Sequence, residues 1–181
     1  TYSNSNEGVA SNEFPKELLP SSTTGEIVNH EHFTLSYNEP YEQAEWVAYT
    51  LSKSHLTYDD RKRPYFIEDP FVSSKSADWR NYKGSGYDRG HLAPSGTMDF
   101  NQNSMKESFL MTNMAPQLPG FNRGGWKGLE DKIRQWANDY NELYVVTGPI
   151  WDGSETYIGN GVYIPSKFYK VVLDPAYNEA I

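Results

Sequence analysis

Short apolar runs rich in aromatic and β-branched residues place the strongest constraint on how this chain can fold. Four such runs occupy residues 33–37, 46–51, 143–148 and 168–173. Their composition is typical of strands that pack in a sheet and not of a helical bundle. Because aromatic residues make up 15% of the chain, we expect the interior to be built largely from rings packed on that sheet.

One long helix is the second expectation. Between residues 122 and 140, apolar side chains recur every three or four positions, at Trp126, Leu129, Ile133, Trp136 and Tyr140. This stripe predicts a core-facing helix whose glycine-rich first turns are held by Trp126 and Leu129. A capping-box pattern at residues 104–107 predicts a short helix, followed by a buried strand at residues 109–114. The fold class is therefore α+β.

A length of 181 residues favours one domain. Residues 1–30 are polar and predict a flexible leader, so residues 31–181 would form the folded domain. The leader resembles a tether left after a targeting segment is removed, which predicts a secreted, periplasmic or cell-surface protein of bacterial type. No run is long enough to span a membrane. The absence of cysteine excludes disulfides, thiolate metal sites and cysteine nucleophiles.

The distribution of charge matters more than its total of −8. Residues 61–135 hold 12 basic and 8 acidic side chains, whereas residues 1–60 hold 2 and 10 and residues 136–181 hold 2 and 6. The central segment is therefore basic inside an acidic chain, which suits a polyphosphate partner bound there. Residues 61–87 contain two prolines and a Gly-Ser-Gly turn and predict a long irregular connection.

The segment Tyr87-Asp88-Arg89-Gly90-His91 follows that turn and concentrates groups useful in phosphodiester hydrolysis. An imidazole can accept a proton from water at neutral pH, and a guanidinium can hold phosphate oxygens in pairs. The chemistry of these residues alone leaves a second interpretation open. In that interpretation the histidine is a satisfied core residue beside a buried Arg–Asp pair.

Oxygen donors follow downstream. Asn122 stands where the long helix begins, and Glu130 lies about two turns further on, on roughly the same side. Amide oxygens suit a hard cation such as Mg²⁺, which keeps several waters, and Glu130 could reach one of those waters. The alternative is that Asn122 caps the helix and Glu130 is a surface charge.

Three segments together resemble a known family. Residues 85–95, 112–117 and 122–130, with Asp-Arg-Gly-His at residues 88–91, resemble the DNA/RNA non-specific endonucleases, the DRGH nucleases. The resemblance runs from about residue 46 to 173. It implies a mostly antiparallel central sheet with flanking helices and a ββα-metal active-site motif. Family members generally continue beyond the strand that matches residues 168–173, so a C-terminal portion is expected to be absent or the chain is a short member.

The resemblance also implies roles for individual residues. His91 would activate the water, and Asn122 would be the one protein ligand of a hydrated Mg²⁺, for which Mn²⁺ or another divalent ion could substitute. Asn113, Gln117 and Glu130 would orient the waters of the metal or His91, with Gln117 also on the substrate side.

Two arginines compete for one of the implied roles. Arg61 fits best the family position of an arginine that stabilises the pentacoordinate phosphorane, and Arg63 is its rival. Arg89 would be a second arginine on the phosphate.

The implied activity is hydrolysis of DNA and RNA to 5′-phosphate and 3′-hydroxyl ends without regard to sugar or sequence. The alternative from another class is a catalytically idle surface protein that binds nucleic acid or glycan on the same scaffold. His30 and His32 could form a metal pair, yet no third ligand is evident, so we expect an ordinary surface there.

Overall fold

Six antiparallel strands form the central sheet of the computed structural model, which describes residues 14–21, 23–153 and 156–180. Their spatial order is β1-β2-β3-β6-β9-β10, and every neighbouring pair is antiparallel. Two further antiparallel pairs, β4-β5 and β7-β8, lie outside this sheet. The predicted α+β class with a mostly antiparallel sheet is confirmed.

The elements have the following bounds. The strands are β1 Glu26–Asn29, β2 Thr34–Asn38, β3 Gln43–Ser52, β4 Asp88–His91, β5 Met114–Gln117, β6 Glu142–Ile150, β7 Tyr157–Ile158, β8 Val162–Tyr163, β9 Lys167–Asp174 and β10 Glu179–Ala180. The α-helices are α1 Gln102–Glu107 and α2 Lys127–Tyr140, and a π-helical turn, Phe121–Trp126, leads into α2. Single 3-10 turns span Lys16–Leu18, Glu39–Tyr41, Lys53–His55, Trp79–Tyr82 and Met111–Asn113. Neither α-helix in the described ranges has the length and hydrophobicity to cross a bilayer.

One face of the sheet carries the main core. Tyr49 and Leu51 of β3 and Val145 of β6 are buried together with Ile133 and Ala137 of α2. These apolar side chains come from the runs whose composition predicted strands, and β2, β3, β6 and β9 confirm those four predictions. Removal of this apolar surface from water is the main force that holds α2 on the sheet.

The N-terminal segment covers the opposite face. Phe14 packs with Trp46, whose indole Nε1 donates to Thr23 Oγ1 at 3.1 Å. Strand β1 pairs with β2 along its whole length. The predicted leader of residues 1–30 was therefore wrong for residues 14–21 and 23–30, because the aromatic outer face of β3 needs a cover. Residues 1–13 of that leader lie outside the described residues.

The inward face of helix α2 matches the predicted apolar stripe only in part. Trp126 and Ile133 are buried as predicted, but Leu129 is 37% and Tyr140 39% exposed. The inward face also contains Glu130, whose pKa is raised by burial. The predicted apolar stripe was wrong at these two positions, since polar groups of the site take their places.

The short helix begins earlier than predicted. Asn101 caps it by accepting from the backbone N–H groups of Asn103 and Ser104, each at 2.8 Å. The predicted cap Ser104 is the third helical residue, and its hydroxyl accepts from Asn101 N. The predicted strand at residues 109–114 was also wrong, because β5 begins only at Met114. The run is buried as expected, but it contains a 3-10 turn.

The side chain of Asn113 explains that turn. Its Oδ1 accepts from Ala93 N at 2.8 Å, and its Nδ2 donates to Ala93 O and Ser108 O at 2.9 Å each. The residue is fully buried, and its backbone carbonyl accepts from Leu92 N. Asn113 thus joins the end of α1 to the backbone that follows β4.

Replacement of this amide should cost stability first. An Asn113→Ala variant leaves one buried N–H and two buried carbonyls without their partner, so we expect the free energy of unfolding to fall by about 3 kcal/mol. Urea denaturation measures the loss, with Asn138→Ala, an exposed helical asparagine, as the control. A loss as small as that of the control would contradict the structural role of Asn113.

Candidate active site

Strands β4 and β5 form the floor of the candidate site. Asp88 stands opposite Gln117, Gly90 opposite Ala115 and His91 opposite Met114. A Cβ at Gly90 would lie 2.2 Å from side-chain atoms of Gln117, which is 1% exposed and has little room to move. The glycine of the Asp-Arg-Gly-His motif is therefore required for this close approach and not for a turn.

Asp88 connects this floor to the start of the long helix. Its carboxylate accepts from Asn122 Nδ2 at 3.0 Å and from Arg123 Nε and Nη2 at 2.8 and 2.7 Å. Hydrogen bonding by Arg123 and Asn122 holds the pKa of Asp88 below its ordinary value. Because the Asn122 amide nitrogen faces the carboxylate, its Oδ1 is the atom left to bind a cation. Asn122 and Arg123 lie in the π-helical turn, a conformation frequent at functional sites.

His91 lies at the end of β4 in aromatic surroundings. Its ring centroid is 5.0 Å from that of Phe109 and 6.0 Å from that of Phe66. Its Nε2 is buried without a hydrogen-bond partner among the described residues. Burial, followed by the positive charges of Arg63 and Arg89, lowers the pKa of His91 to about 3. The imidazole is therefore neutral near pH 7 and can accept a proton.

A cleft of about 790 Å³ opens over these groups. Its wall contains Arg63, His91, Asn122 and Arg123. The same four residues border a second hollow of about 280 Å³, which extends the cleft along α2 to Glu130. The structure thus brings together the histidine, the amide and the predicted carboxylate.

Glu130 occupies the far end with a buried lysine nearby. Burial raises the pKa of Glu130, and the charges of Lys170 and Arg134 oppose that rise. Lys170 donates to Leu92 O at 3.2 Å and to Thr147 Oγ1 at 2.9 Å, and burial lowers its pKa to about 8. Sequence reasoning missed Lys170 and Arg134. A lone cation inside the apolar run of residues 168–173 was the available signal for Lys170.

The two upstream arginines, Arg61 and Arg63, have different surroundings. Arg61 Nε donates to Asp99 O at 2.9 Å and its Nη2 to Phe100 O at 3.1 Å, so the side chain anchors a neighbouring loop. It lines neither part of the cleft, whereas Arg63 lines both. The preference for Arg61 over Arg63 stays a prediction, and the geometry favours Arg63, because backbone carbonyls engage the Arg61 guanidinium.

Arg89 and Gln117 occupy different positions around the site. The Arg89 guanidinium lies over the Phe66 ring at 4.3 Å from its centroid, and the residue lines the larger cleft. Gln117 borders an adjacent apolar hollow, and both of its amide atoms are buried without a partner in the described ranges. The amide of Asn113, by contrast, is hydrogen-bonded to the backbone of Ala93 and Ser108, and the residue does not line the cleft.

The prediction that His30 and His32 lie on an ordinary surface was wrong. Their side chains are 1% and 5% exposed and bind Asp69 and Glu107, each at 2.8 Å. Ligand atoms of Glu31, His32 and Glu107 lie within 4.8 Å of one another. However, His32 Nε2 accepts from Asn101 Nδ2 at 3.0 Å while Nδ1 faces Glu107. This imidazole therefore has no lone pair left for an ion.

Comparisons with known proteins agree on one family. The family model for DNA/RNA non-specific endonucleases matches residues 10–180. Nuclease C1 of Cunninghamella echinulata var. echinulata is 37% identical over 168 residues, which cover 84% of this chain and 67% of that protein. Human mitochondrial endonuclease G is 34% identical over 161 residues, which cover 82% of this chain and 54% of that protein.

A solved structure extends the similarity to the fold. A chain in the crystal structure of the EndoG/EndoGI complex superposes with a TM-score of 0.77 and 31% identity, covering 87% of this chain and 71% of that one. The chain spans between about half and two thirds of the length of the curated relatives named above. The match over residues 10–180 shows that the chain belongs to the DNA/RNA non-specific endonuclease family.

Proposed function

We propose that this chain is a Mg²⁺-dependent endonuclease that hydrolyses DNA and RNA, with His91 as general base and Asn122 as the metal-anchoring side chain. The observation that carries the proposal is the buried, unpartnered Nε2 of His91 in a cleft shared with Asn122 and Arg63. Family membership supports the class of reaction. The names of the relatives, which are nucleases, support it further.

The environment of His91 leaves the imidazole neutral. A general base must be deprotonated at the working pH, and burial lowers the pKa of His91, which favours the neutral form and also weakens it as a base in the protein without substrate. Trp126 Nε1 donates to the backbone carbonyl of His91 at 3.3 Å, and Asn113 holds the next two residues. The backbone at and after His91 is therefore held in place without use of the imidazole acceptor atom.

The residues around Asn122 fit a weakly held divalent cation. Asp88 orients the amide so that Oδ1 is free for a hard ion. The unpartnered amide atoms of Gln117, opposite Asp88, suit hydrogen bonds with water around such an ion. Glu130, on the same hollow as Asn122, suits the same role. A bound Mg²⁺ would polarise the phosphate and neutralise charge on the leaving oxygen, and Mn²⁺ could replace it.

The remaining groups set out a hydrolytic step. His91 takes a proton from a water whose oxygen attacks phosphorus in line with the 3′ oxygen. The new P–O bond forms as the bond to the 3′ oxygen breaks, and the departing oxygen takes a proton from solvent water, leaving 5′-phosphate and 3′-hydroxyl ends. Arg63, exposed at the cleft, can hold the non-bridging oxygens as charge grows on them. No step uses a 2′-hydroxyl, so both DNA and RNA fit.

The competing proposal of an idle nucleic-acid- or glycan-binding protein leaves the buried polar atoms of the site unexplained. A surface that only binds phosphate needs donors and cations, and the unpartnered acceptor of a neutral imidazole adds nothing to such binding while it costs stability in the folded state. The expectation of an exported protein stays a prediction, since the relatives include a Nostoc nuclease and several mitochondrial ones.

Removal of the imidazole should abolish most of the activity. The substitution His91→Ala should lower kcat for plasmid nicking about 10²–10⁴-fold, which is the contribution of general-base catalysis. The fold should be largely kept, because the buried Nε2 makes no hydrogen bond that would be lost, and loss of the ring contacts with Phe109 and Phe66 should lower the melting temperature by only a few degrees. A folded variant that nicks at the wild-type rate would falsify the assignment.

The two arginines can be separated by parallel substitution. Arg63→Ala should reduce kcat about 10²–10³-fold, as loss of one donor to a developing oxyanion does. Arg61→Ala should instead lower the free energy of unfolding, because two backbone carbonyls lose their donor. Cleavage rates and urea midpoints measured on both variants test this ranking. A larger rate loss in Arg61→Ala than in Arg63→Ala would reverse the assignment.

Chelation should stop cleavage and leave the fold intact. The one group of potential metal-binding carboxylates and histidines in the described ranges, Glu31, His32 and Glu107, does not include Asn122, so an ion at Asn122 would be held by one amide and water. Metal at about ten times its dissociation constant stabilises a fold by roughly 1.4 kcal/mol, a few degrees for a chain of this size. Melting curves and nicking assays in EDTA and in excess Mg²⁺ measure both effects. Cleavage that survives exhaustive chelation, or a melting loss above about 15 °C, would contradict the one-amide site.

A further inference from the structure

Two buried polar atoms beside His91 have no partner and no role in the step described above. They are the hydroxyl of Tyr82 and Nε of Arg89, and like His91 Nε2 they lack a hydrogen bond among the described residues. All three residues line the same cleft. Buried polar groups are nearly always paired in folded proteins. Several unpaired polar atoms on one wall of the cleft therefore indicate a ligand that forms the missing hydrogen bonds.

The backbone that carries Tyr82 is held firmly in place. Tyr82 ends the turn Trp79–Tyr82, and its carbonyl accepts from Ser85 N and Ser85 Oγ. The neighbouring Asn81 accepts from Asn160 N at 3.2 Å. A Cβ at Gly159 would lie 2.5 Å from Asn81 Cα, so the β7-β8 hairpin approaches the turn as closely as glycine allows.

The ring of Tyr82 is equally constrained. It is 4% exposed and belongs to a cluster with Met111, Met114 and Val162 beneath the cleft. A hydroxyl at this position loses little conformational freedom when it binds a ligand, because its ring is already fixed.

The chemistry of this wall favours an anion. Burial raises the pKa of Tyr82, and the charge of Arg89 only partly opposes the rise, so the phenol stays protonated and donates. The orphan atom of Arg89 is also a donor. Lys83, exposed on the same cleft, adds a positive charge. The two donors, with the positive charges of Arg89 and Lys83, suit phosphate oxygens. The carboxylate on the same cleft, Asp88, feels the charge of Arg89 but is hydrogen-bonded to Asn122 and Arg123.

The position of the wall indicates which phosphate it would meet. Arg89 and His91 alternate along β4, so they lie on one side of the strand about 6.7 Å apart. That separation matches one step between successive phosphates along a nucleic-acid strand. A phosphate at Tyr82 and Arg89 is therefore a neighbour of the phosphate at His91 and not the same one.

We propose that Tyr82 and Arg89 form a subsite for the phosphate adjacent to the scissile one, with the Tyr82 hydroxyl and Arg89 Nε donating to its non-bridging oxygens. The inference rests on the proposed nuclease function and adds a binding role for Tyr82. In this proposal Tyr82 is a positioning residue that sets the register of the nucleic-acid strand in the cleft.

The first experiment removes one hydroxyl. Tyr82→Phe should raise KM for a short single-stranded oligonucleotide about tenfold or more, the loss expected for a hydrogen bond to a charged group. The kcat should stay within about twofold, as for a contact made equally in the ground and transition states. The melting temperature should stay equal or rise, because the variant removes an unpaired buried polar atom. Tyr177→Phe, at a 74% exposed tyrosine, is the control.

The second experiment removes the charge on the substrate. Strands are made in which a central phosphodiester is flanked on its 5′ side, its 3′ side or neither side by an uncharged methylphosphonate, and cleavage at the central linkage is quantified by product length. Wild type should cleave about tenfold more slowly when one particular neighbour is uncharged. Tyr82→Phe should show little further loss from that change, since the contact is already absent.

The outcomes separate this inference from the function on which it rests. Equal sensitivity of wild type and Tyr82→Phe to the neutral neighbour, or a KM unchanged by the substitution, overturns the subsite and leaves the nuclease proposal standing. A KM increase accompanied by a lower melting temperature assigns Tyr82 a structural role and also overturns it. Absence of cleavage by wild type in Mg²⁺ overturns both proposals.

Discussion

The carboxylate of Asp88 joins the strand that carries His91 to the turn that carries Asn122. It accepts one hydrogen bond from Asn122 and two from Arg123, so two short elements far apart in sequence meet at one group. Charge-assisted bonds of this kind are among the stronger ones a surface can form. These bonds orient the Asn122 amide and, together with the bond from Trp126 Nε1 to the His91 carbonyl, they hold the π-helical turn on β4. The geometry proposed for catalysis depends on this one carboxylate.

Around that junction the fold retains polar atoms that it does not satisfy itself. Each unpartnered nitrogen or hydroxyl on His91, Arg89, Tyr82 and Gln117 lowers the stability of the protein alone. Such atoms are tolerated where a ligand later pairs with them, and they are therefore informative about function. The apolar surroundings of His91 act in the same direction, because they disfavour the imidazolium and preserve an acceptor. The polar atoms at the centre of the cleft thus lower the stability of the protein and are at the same time available to bind or react with a ligand.

The sheet could be predicted from the sequence because strand composition is a local property. The runs at residues 33–37, 46–51, 143–148 and 168–173 lie in β2, β3, β6 and β9. The motif residues identified the cleft for a similar reason, since His91, Asn122 and Glu130 all border it. Roles decided by tertiary contacts could not be read in this way. The Arg61 guanidinium donates to the carbonyls of Asp99 and Phe100, whereas Arg63 is exposed at the cleft. The amide of Asn113 is hydrogen-bonded to the backbone of Ala93, twenty residues away, and of Ser108.

Anomalous diffraction from crystals soaked in Mn²⁺ tests the central claim most directly, namely that a single amide anchors the ion beside a neutral histidine. The account predicts one main peak within about 2–2.5 Å of Asn122 Oδ1, with water as the other ligands. Asp88 should still hold the amide nitrogen, and His91 Nε2 should face the cleft without binding the ion. A main peak between Glu31, His32 and Glu107, or one bound by the carboxylate of Glu130 with none at Asn122, would contradict the account.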